Sequence, residues 1–141
     1  MRRAQSGQTL IMFAITMTFM FLGLIALVGD ADTLMVRYNQ VNAEALLGAQ
    51  SGATAIDENA FYQGVHRLDP ALAVDRCQRI VLPGGDTATH HVKCTFNAPN
   101  TVTATVSEDV RLPIPLFMTT ATVRSSRTGQ AVFGGQQVVG P

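Results

Sequence analysis

The sequence predicts an α+β protein: a long N-terminal helix, half membrane-spanning and half amphipathic, then a short second helix and a small antiparallel sheet of three to four strands. Three observations lead there. No charged residue occurs from Leu10 to Gly29, and no proline occurs before Pro70, so nothing in that stretch forces a helix to stop. Beyond residue 90 the apolar positions change from three-four spacing to strict alternation, the period of a strand with one buried face. Composition narrows the class further. Ten Lys and Arg against ten Asp and Glu leave no net charge, whereas phosphate recognition needs an excess of cations, so no nucleic-acid partner is expected. With 14% charged and 47% hydrophobic residues, the chain is neither disordered nor an ordinary soluble domain.

The first element is the run from Leu10 to Val28, broken only by Thr16, Thr18 and Gly23. A helix of that length crosses the roughly 30 Å hydrocarbon layer at about 1.5 Å per residue, so membrane lipid is the first expected partner. Two other readings compete. A cleaved secretory signal has a shorter apolar region of about 7–15 residues, although Gly29-Asp30-Ala31 resembles a weak cleavage site. A core helix needs a domain able to cover every face, and the polar, Thr-rich remainder is too small for that. Arg2 and Arg3 before the run and Asp30 and Asp32 after it orient a span with its N-terminus inside. The expected division is a cytoplasmic leader at 1–8, a transmembrane helix at 9–29, an extracytoplasmic helix extension at 30–62 and a small α/β domain at 63–141.

Through the extension, Leu34, Tyr38, Val41, Ala45, Gly48, Gly52 and Ile56 recur at spacings of three and four, one stripe of a helix continuing without a break to about Ala60. The stripe shrinks as it proceeds. Ala45, Gly48, Ala49, Gly52 and Ala53 put almost no side chain on it, and Gly48 with Gly52 forms a small-xxx-small pair that admits another backbone. Each glycine costs an exposed helix about 1 kcal/mol relative to alanine, so packing must compensate, either on the chain's own domain or on another subunit. The charges of residues 30–66 are lopsided, with Asp30, Asp32, Glu44, Asp57 and Glu58 against Arg37 alone, which predicts a solvated face or one that meets a basic partner.

Asp69-Pro70 is a helix start, an acidic N-cap with proline at the first helical position. Pro83-Gly84-Gly85-Asp86 is a turn. Val92, Cys94 and Phe96 then alternate with polar residues, as do Val102, Ala104 and Val106, with Asn97–Asn100 as the turn between them. A third strand is expected around Thr119–Ser125 and a fourth, weaker one at Gln130–Phe133, with Pro113 and Pro115 interrupting the chain.

Nothing in this pattern assigns catalysis, a metal or a cofactor. His66 stands apart, and His90 and His91 would point to opposite faces of a strand, so they are expected at the surface and not around one ion. No phosphate loop, nucleophile elbow or nucleotide-binding glycine motif occurs, and Gly84-Gly85 and Gly134-Gly135 read as turns. Asp30 and Asp32 lie two apart on a helix and do not face each other, so they mark the membrane edge. Cys77 and Cys94, an even pair in an expected oxidising compartment, predict a disulfide, with Cys94 pointing inward from its strand.

The segment Ser6-Gly7-Gln8-Thr9-Leu10-Ile11-Met12-Phe13-Ala14, continuing through Gly29-Asp30 to Arg37, Gln40 and the Ala/Gly-rich stretch Ala43–Ala55, resembles the N-terminal region of the TadE and TadG families. These are pilin-like proteins of the Tad (tight adherence, Flp) type IV pilus system. Thr101–Val106, the proline-rich bend Leu112–Phe117 and Thr120–Arg124 are similar to the TadE-type ending. The resemblance implies a pilin-like fold, an inner-membrane location, other pilus or pseudopilin subunits and the assembly platform as partners, and cleavage by a prepilin peptidase between Gly7 and Gln8. Two departures matter. The major pilins carry a Glu five positions into the mature chain, where this sequence has Met12, so nothing acidic would pair with a neighbour's amino group. The chain also lacks the length of the larger TadG-like proteins. The resemblance therefore implies a short minor pilin or accessory protein acting in pilus biogenesis, adhesion or secretion, and not an enzyme. A membrane-anchored or secreted binding module unrelated to pili is the other expectation.

Overall fold

The computed structural model describes residues 4–81, 87–97, 100–114 and 118–133. Its elements are α1 (Ala4–Gly52), α2 (Glu58–Tyr62), α3 (Pro70–Val81), β1 (His90–Asn97), β2 (Thr101–Arg111) and β3 (Thr120–Gln130). This is the expected α+β layout of a long helix, a short helix and an antiparallel sheet. The strands follow one another in the order β1-β2-β3, each paired antiparallel to the next and joined by short connections. Arg2, Arg3, the turn at 83–86, Pro115 and Gly134-Gly135 lie outside the described residues.

Helix α1 runs 49 residues without interruption, about 73 Å at 1.5 Å per residue, and passes through Gly29-Asp30 unbroken. It ends eight residues before Ala60, where continuity was expected. The reason is local. Ala53 N donates to Ala49 O at 3.0 Å, but Thr54 N turns to Ser51 O and Ala55 N to Gly52 O, both at 3.1 Å, tightening the last turn into i→i+3 bonds. Arg76 Nη1 donates to the Thr54 carbonyl at 3.0 Å, so α3 caps the end of α1. The chain then extends through Ile56, which bridges Leu68, and Asp57 starts α2 as its N-cap by accepting from Ala60 N at 3.1 Å. The expected 30–62 extension is thus two helices separated by an extended joint.

Helix α3 begins as its sequence requires: the Asp69 carboxylate accepts from Ala71 N at 2.9 Å and Leu72 N at 3.1 Å, filling donors that the first helical turn leaves open. Strand β3 reaches Gln130, longer than expected, because its eleven residues pair in unbroken register with β2 from Thr120↔Arg111 to Gln130↔Thr101. The fourth strand at Gln130–Phe133 does not form. Gln130 closes β3, and Ala131 N leaves it to bond Asn100 O at 3.1 Å.

The sheet has one covered and one open face. On the covered side Val102, Ala104, Val106 and Val110 of β2 are buried beneath α1 and α3. Two clusters make the core: Ala49, Ala55, Leu68, Ala73, Cys77, Cys94, Val102 and Ala104 at the far end, and Val41, Ala45, Val81, Val106, Val110 and Val123 nearer the middle of α1. The open face carries hydroxyl pairs across strands, Thr103 with Thr128 at 3.0 Å and Thr105 with Ser126 at 3.1 Å, the polar outside of a sheet with one solvated face.

Candidate functional site

Through its first half α1 touches almost nothing. Its most apolar window is 6% buried, and Phe13, Phe19, Phe21, Leu22, Ile25, Leu27 and Val28 are all exposed. A core helix would be covered, so that reading is overturned: this is one helix long and apolar enough to cross a membrane, and the domain does not shield it. Gly7 and Gln8 lie in its opening turns, with Met12 exposed one turn on.

The second half is clasped to the sheet by polar groups. Asp30 Oδ1 accepts from Ile114 N at 3.2 Å. Arg37 Nη1 lies 3.6 Å from Glu108 Oε1, and Glu44 Oε2 lies 2.8 Å from His90 Nε2. Asn42 Oδ1 accepts from both Ser125 Oγ at 3.0 Å and Arg127 Nε at 2.7 Å. Two expectations change here. His90 is half-buried against α1 and not simply at the surface, because its strand turns it inward. Asp30 and Glu44 serve the chain's own domain, leaving Asp32 as the exposed acid where the apolar half ends.

The small patch is also occupied from within. Ala45 and Ala49 are fully buried. A Cβ on Gly48 would strike the Val81 side chain and touch Ala104 and Cys77 at 3.4 Å, and one on Gly52 would lie 2.8 Å from Val102 Cγ1 and 2.9 Å from Ala73 O. Ala53 is half-buried at the rim. The close backbone approach that the glycines allow is therefore made to β2 and α3, and the alternative of an exposed intersubunit patch is corrected: in this fold the helix lies against its own domain. The Cys77–Cys94 disulfide, with Cα atoms 6.2 Å apart, ties α3 to β1 beside this patch.

What remains outward on this half of α1 carries one acid, Asp32, at its start. From Thr33 to Gly52 the only charged residues are Arg37 and Glu44, which pair with Glu108 and His90 of the sheet. The side away from the sheet presents Val36 and Leu47, and the flank over β3 presents Met35 and Leu46, all exposed, among Asn39, Gln40, Ala43 and Gln50. The sequence stripe did not mark this face, since it followed the buried side. Only the position of Glu44 and Arg37, on the stripe's side of the helix, signalled that the other side is neutral.

At the end of the domain farthest from the apolar half, rings gather: Phe61 with Tyr62 at 6.3 Å, Phe61 with His66 at 5.6 Å and His66 with Phe133 at 5.3 Å between centroids. Asp57 supports this end. The Ala60 N–H and the Arg67 guanidinium hold its carboxyl below the usual carboxylate range, and Arg67 Nη2 lies 2.8 Å away. No group of three or more metal-ligating side chains occurs among the described residues. No family model, no curated protein and no solved structure matches this chain.

Proposed function

We propose that this protein is a single-pass membrane protein with its domain outside the cytoplasm, acting by assembly and not by chemistry, as a TadE/TadG-like minor pilin or pilus-assembly accessory subunit. One observation carries the reading: a single unbroken helix joins an uncovered apolar half to a half whose outward face, beyond Asp32, is uncharged as far as Gly52. A helix that served only as a tether would be expected to charge its solvent face, as surface helices do. Exposed Met and Leu among Asn and Gln suit packing against other helices, first held in lipid and then drawn into an assembly. Mass spectrometry of protein recovered from membranes tests the processing step, with Gln8 expected as the mature first residue. Protease added from outside should remove the domain and leave the apolar helix. A soluble protein beginning near Asp30 would show a cleaved signal and overturn the reading.

The second reading, a tethered binding module unrelated to pili, gains support from the small patch being filled by the chain's own β2 and α3. Scrambling Leu10–Val28 while keeping its composition separates the two. A tether keeps its activity under that change, whereas an assembling helix loses its packing surface.

A further inference from the structure

We infer that the free edge of β3 is a strand-addition site, which takes an extended segment of another protein with apolar residues alternating with hydroxyl or acidic ones. Among the described residues only β2 pairs with β3, so one side of an eleven-residue strand keeps its backbone donors and acceptors unpaired by the described sheet. Natural edges are usually blunted by proline, charge, bulges or short length, and the only charges on this strand are Arg124 and Arg127. Thr120–Gln130 contains no proline or lysine, pairs with β2 in unbroken register, and extends about 37 Å at 3.4 Å per residue. Directly after the strand Ala131 turns away from this edge to Asn100.

The second observation is a shelf above that edge. Asn42 bonds Ser125 and Arg127, which sets its flank of α1 over β3. Met35, Leu46 and Ala53 share that flank by spacings of seven and four; Met35 is 68% and Leu46 44% exposed. Near the end of β3 the shelf deepens into a cavity of about 500 Å³ lined in part by Leu46, Ala53, Ile56, Gly129 and Val132. An added strand would find backbone partners on β3, an apolar shelf for alternate side chains, and Thr128 and Ser126 beside the others. This is the combination by which strand addition gains both affinity and specificity. Arg124 and Arg127, with no acid on β3, favour an acidic partner segment.

Antiparallel pairing with a second copy fits poorly. Helix α1 runs parallel to β3, with Asn42 beside Ser125 and Ala49 beside Gly129. Antiparallel pairing of two β3 edges would set two α1 helices in opposite directions, which spans inserted alike in one membrane cannot adopt. That exclusion rests on the membrane reading of α1; the edge and the shelf do not.

The test uses full-length protein in detergent micelles and a soluble peptide of alternating valine and threonine with glutamate at both ends. Amide NMR should show shifts and slowed exchange along Thr120–Gln130. N-methylating the peptide on one alternate set of amides should weaken binding about tenfold or more, as expected when several backbone hydrogen bonds are lost, and methylating the other set should not. Leu46→Asp should weaken it further while the β3 amide spectrum of the free protein persists. Equal binding by a block-ordered peptide of the same composition, equal effects of both methylation patterns, or shifts confined to Leu47 and its outward neighbours would overturn the proposal. So would concentration-dependent pairing of β3 in protein alone, which assigns the edge to a second copy. Membrane insertion is measured separately by protease protection, so either reading can fail without the other.

Discussion

The two halves of α1 are one helix, strongly apolar and uncharged from Leu10 to Val28 and mixed from Gly29 to Gly52, and they meet opposite surroundings. In the first half large side chains, Phe19, Ile25 and Leu27 among them, project into open space, while in the second Val41, Ala45 and Ala49 are fully buried. Side-chain size thus runs against burial along the helix. Large apolar residues suit a fluid hydrocarbon that conforms to any shape, whereas a backbone packed on a sheet needs residues that leave room. Apolar content marks the first half, and the small volume of the residues on the stripe marks the packed face of the second.

The sharpest way to break this contrast is to add bulk where the second half meets the sheet. A Cβ on Gly129 of β3 would collide with the backbone of Ala49, and backbone, unlike a side-chain end, cannot swing aside. Gly129→Val should therefore cost about 3 kcal/mol or more, the upper range of overpacking, and leave the domain largely unfolded at 37 °C. Chemical denaturation followed by the sheet's circular dichroism measures it. Removing the disulfide comes next. Cys77 and Cys94 are 17 residues apart, and closing such a loop stabilises by roughly 3 kcal/mol in the chain-entropy model. Cys94→Ser or reduction should lower the domain's unfolding midpoint by that amount and leave the helicity of the apolar half unchanged in micelles.

Much of this arrangement was legible, because each legible feature rests on local chemistry. Asp69-Pro70 carries its own N-cap and started α3 as expected; the alternation from Val92 and from Val102 set β1 and β2; the stripe from Leu34 to Gly52 is the buried face. What escaped depends on partners distant in sequence. The end of α1 at Gly52 is secured by Arg76, 22 residues beyond Thr54, and Gly52, the one local signal for it, fitted the small-residue stripe equally well. The missing fourth strand had the composition of a strand but is drawn off by Asn100. The small patch showed that a backbone must come close without showing whose. The strand edge and the shelf were invisible because they join Asn42 to residues more than eighty positions away.

Within the second half, glycine can be compared with glycine. Gly52→Ala places its Cβ against the Val102 side chain and the Ala73 carbonyl, so overpacking of about 2 kcal/mol should exceed the roughly 1 kcal/mol gained in helix propensity. Gly48→Ala meets a side chain and not backbone, that of Val81 at the last residue of α3, so its loss should be smaller than at Gly52 to the extent that this buried, β-branched side chain shifts with the helix end. Equal losses at the two positions would show that Val81 is as rigid as backbone.

Acid titration tests the joint between α1 and α2. Asp57 has a carboxyl pKa below its usual value of 3.8 in the folded protein, from the Ala60 N–H first and Arg67 second. Its contribution is therefore present above the unfolded pKa and is lost as pH falls through the lower folded value. Stability should decline in that acid window, and Asp57→Asn should flatten the decline without altering stability's pH dependence between 6 and 8. An unchanged acid slope would mean that other carboxylates set it.

The smallest expected effect lies in the first half and is informative because it is small. Nothing lies within 4 Å of a Cβ built on Gly23, so Gly23→Ala meets no neighbour in the chain and gains up to about 1 kcal/mol of helix propensity. The domain, whose core begins at Leu34 and Val41, should unfold at the same denaturant concentration as the unsubstituted protein. The same substitution at Gly52 should lower that concentration, so identical chemistry has different consequences according to what the helix faces. A loss of domain stability from Gly23→Ala would mean that the apolar half is coupled to the sheet, and the two halves would then have to be treated as one packing unit. Unchanged stability accompanied by altered association in membranes would locate the contacts of the first half in other molecules.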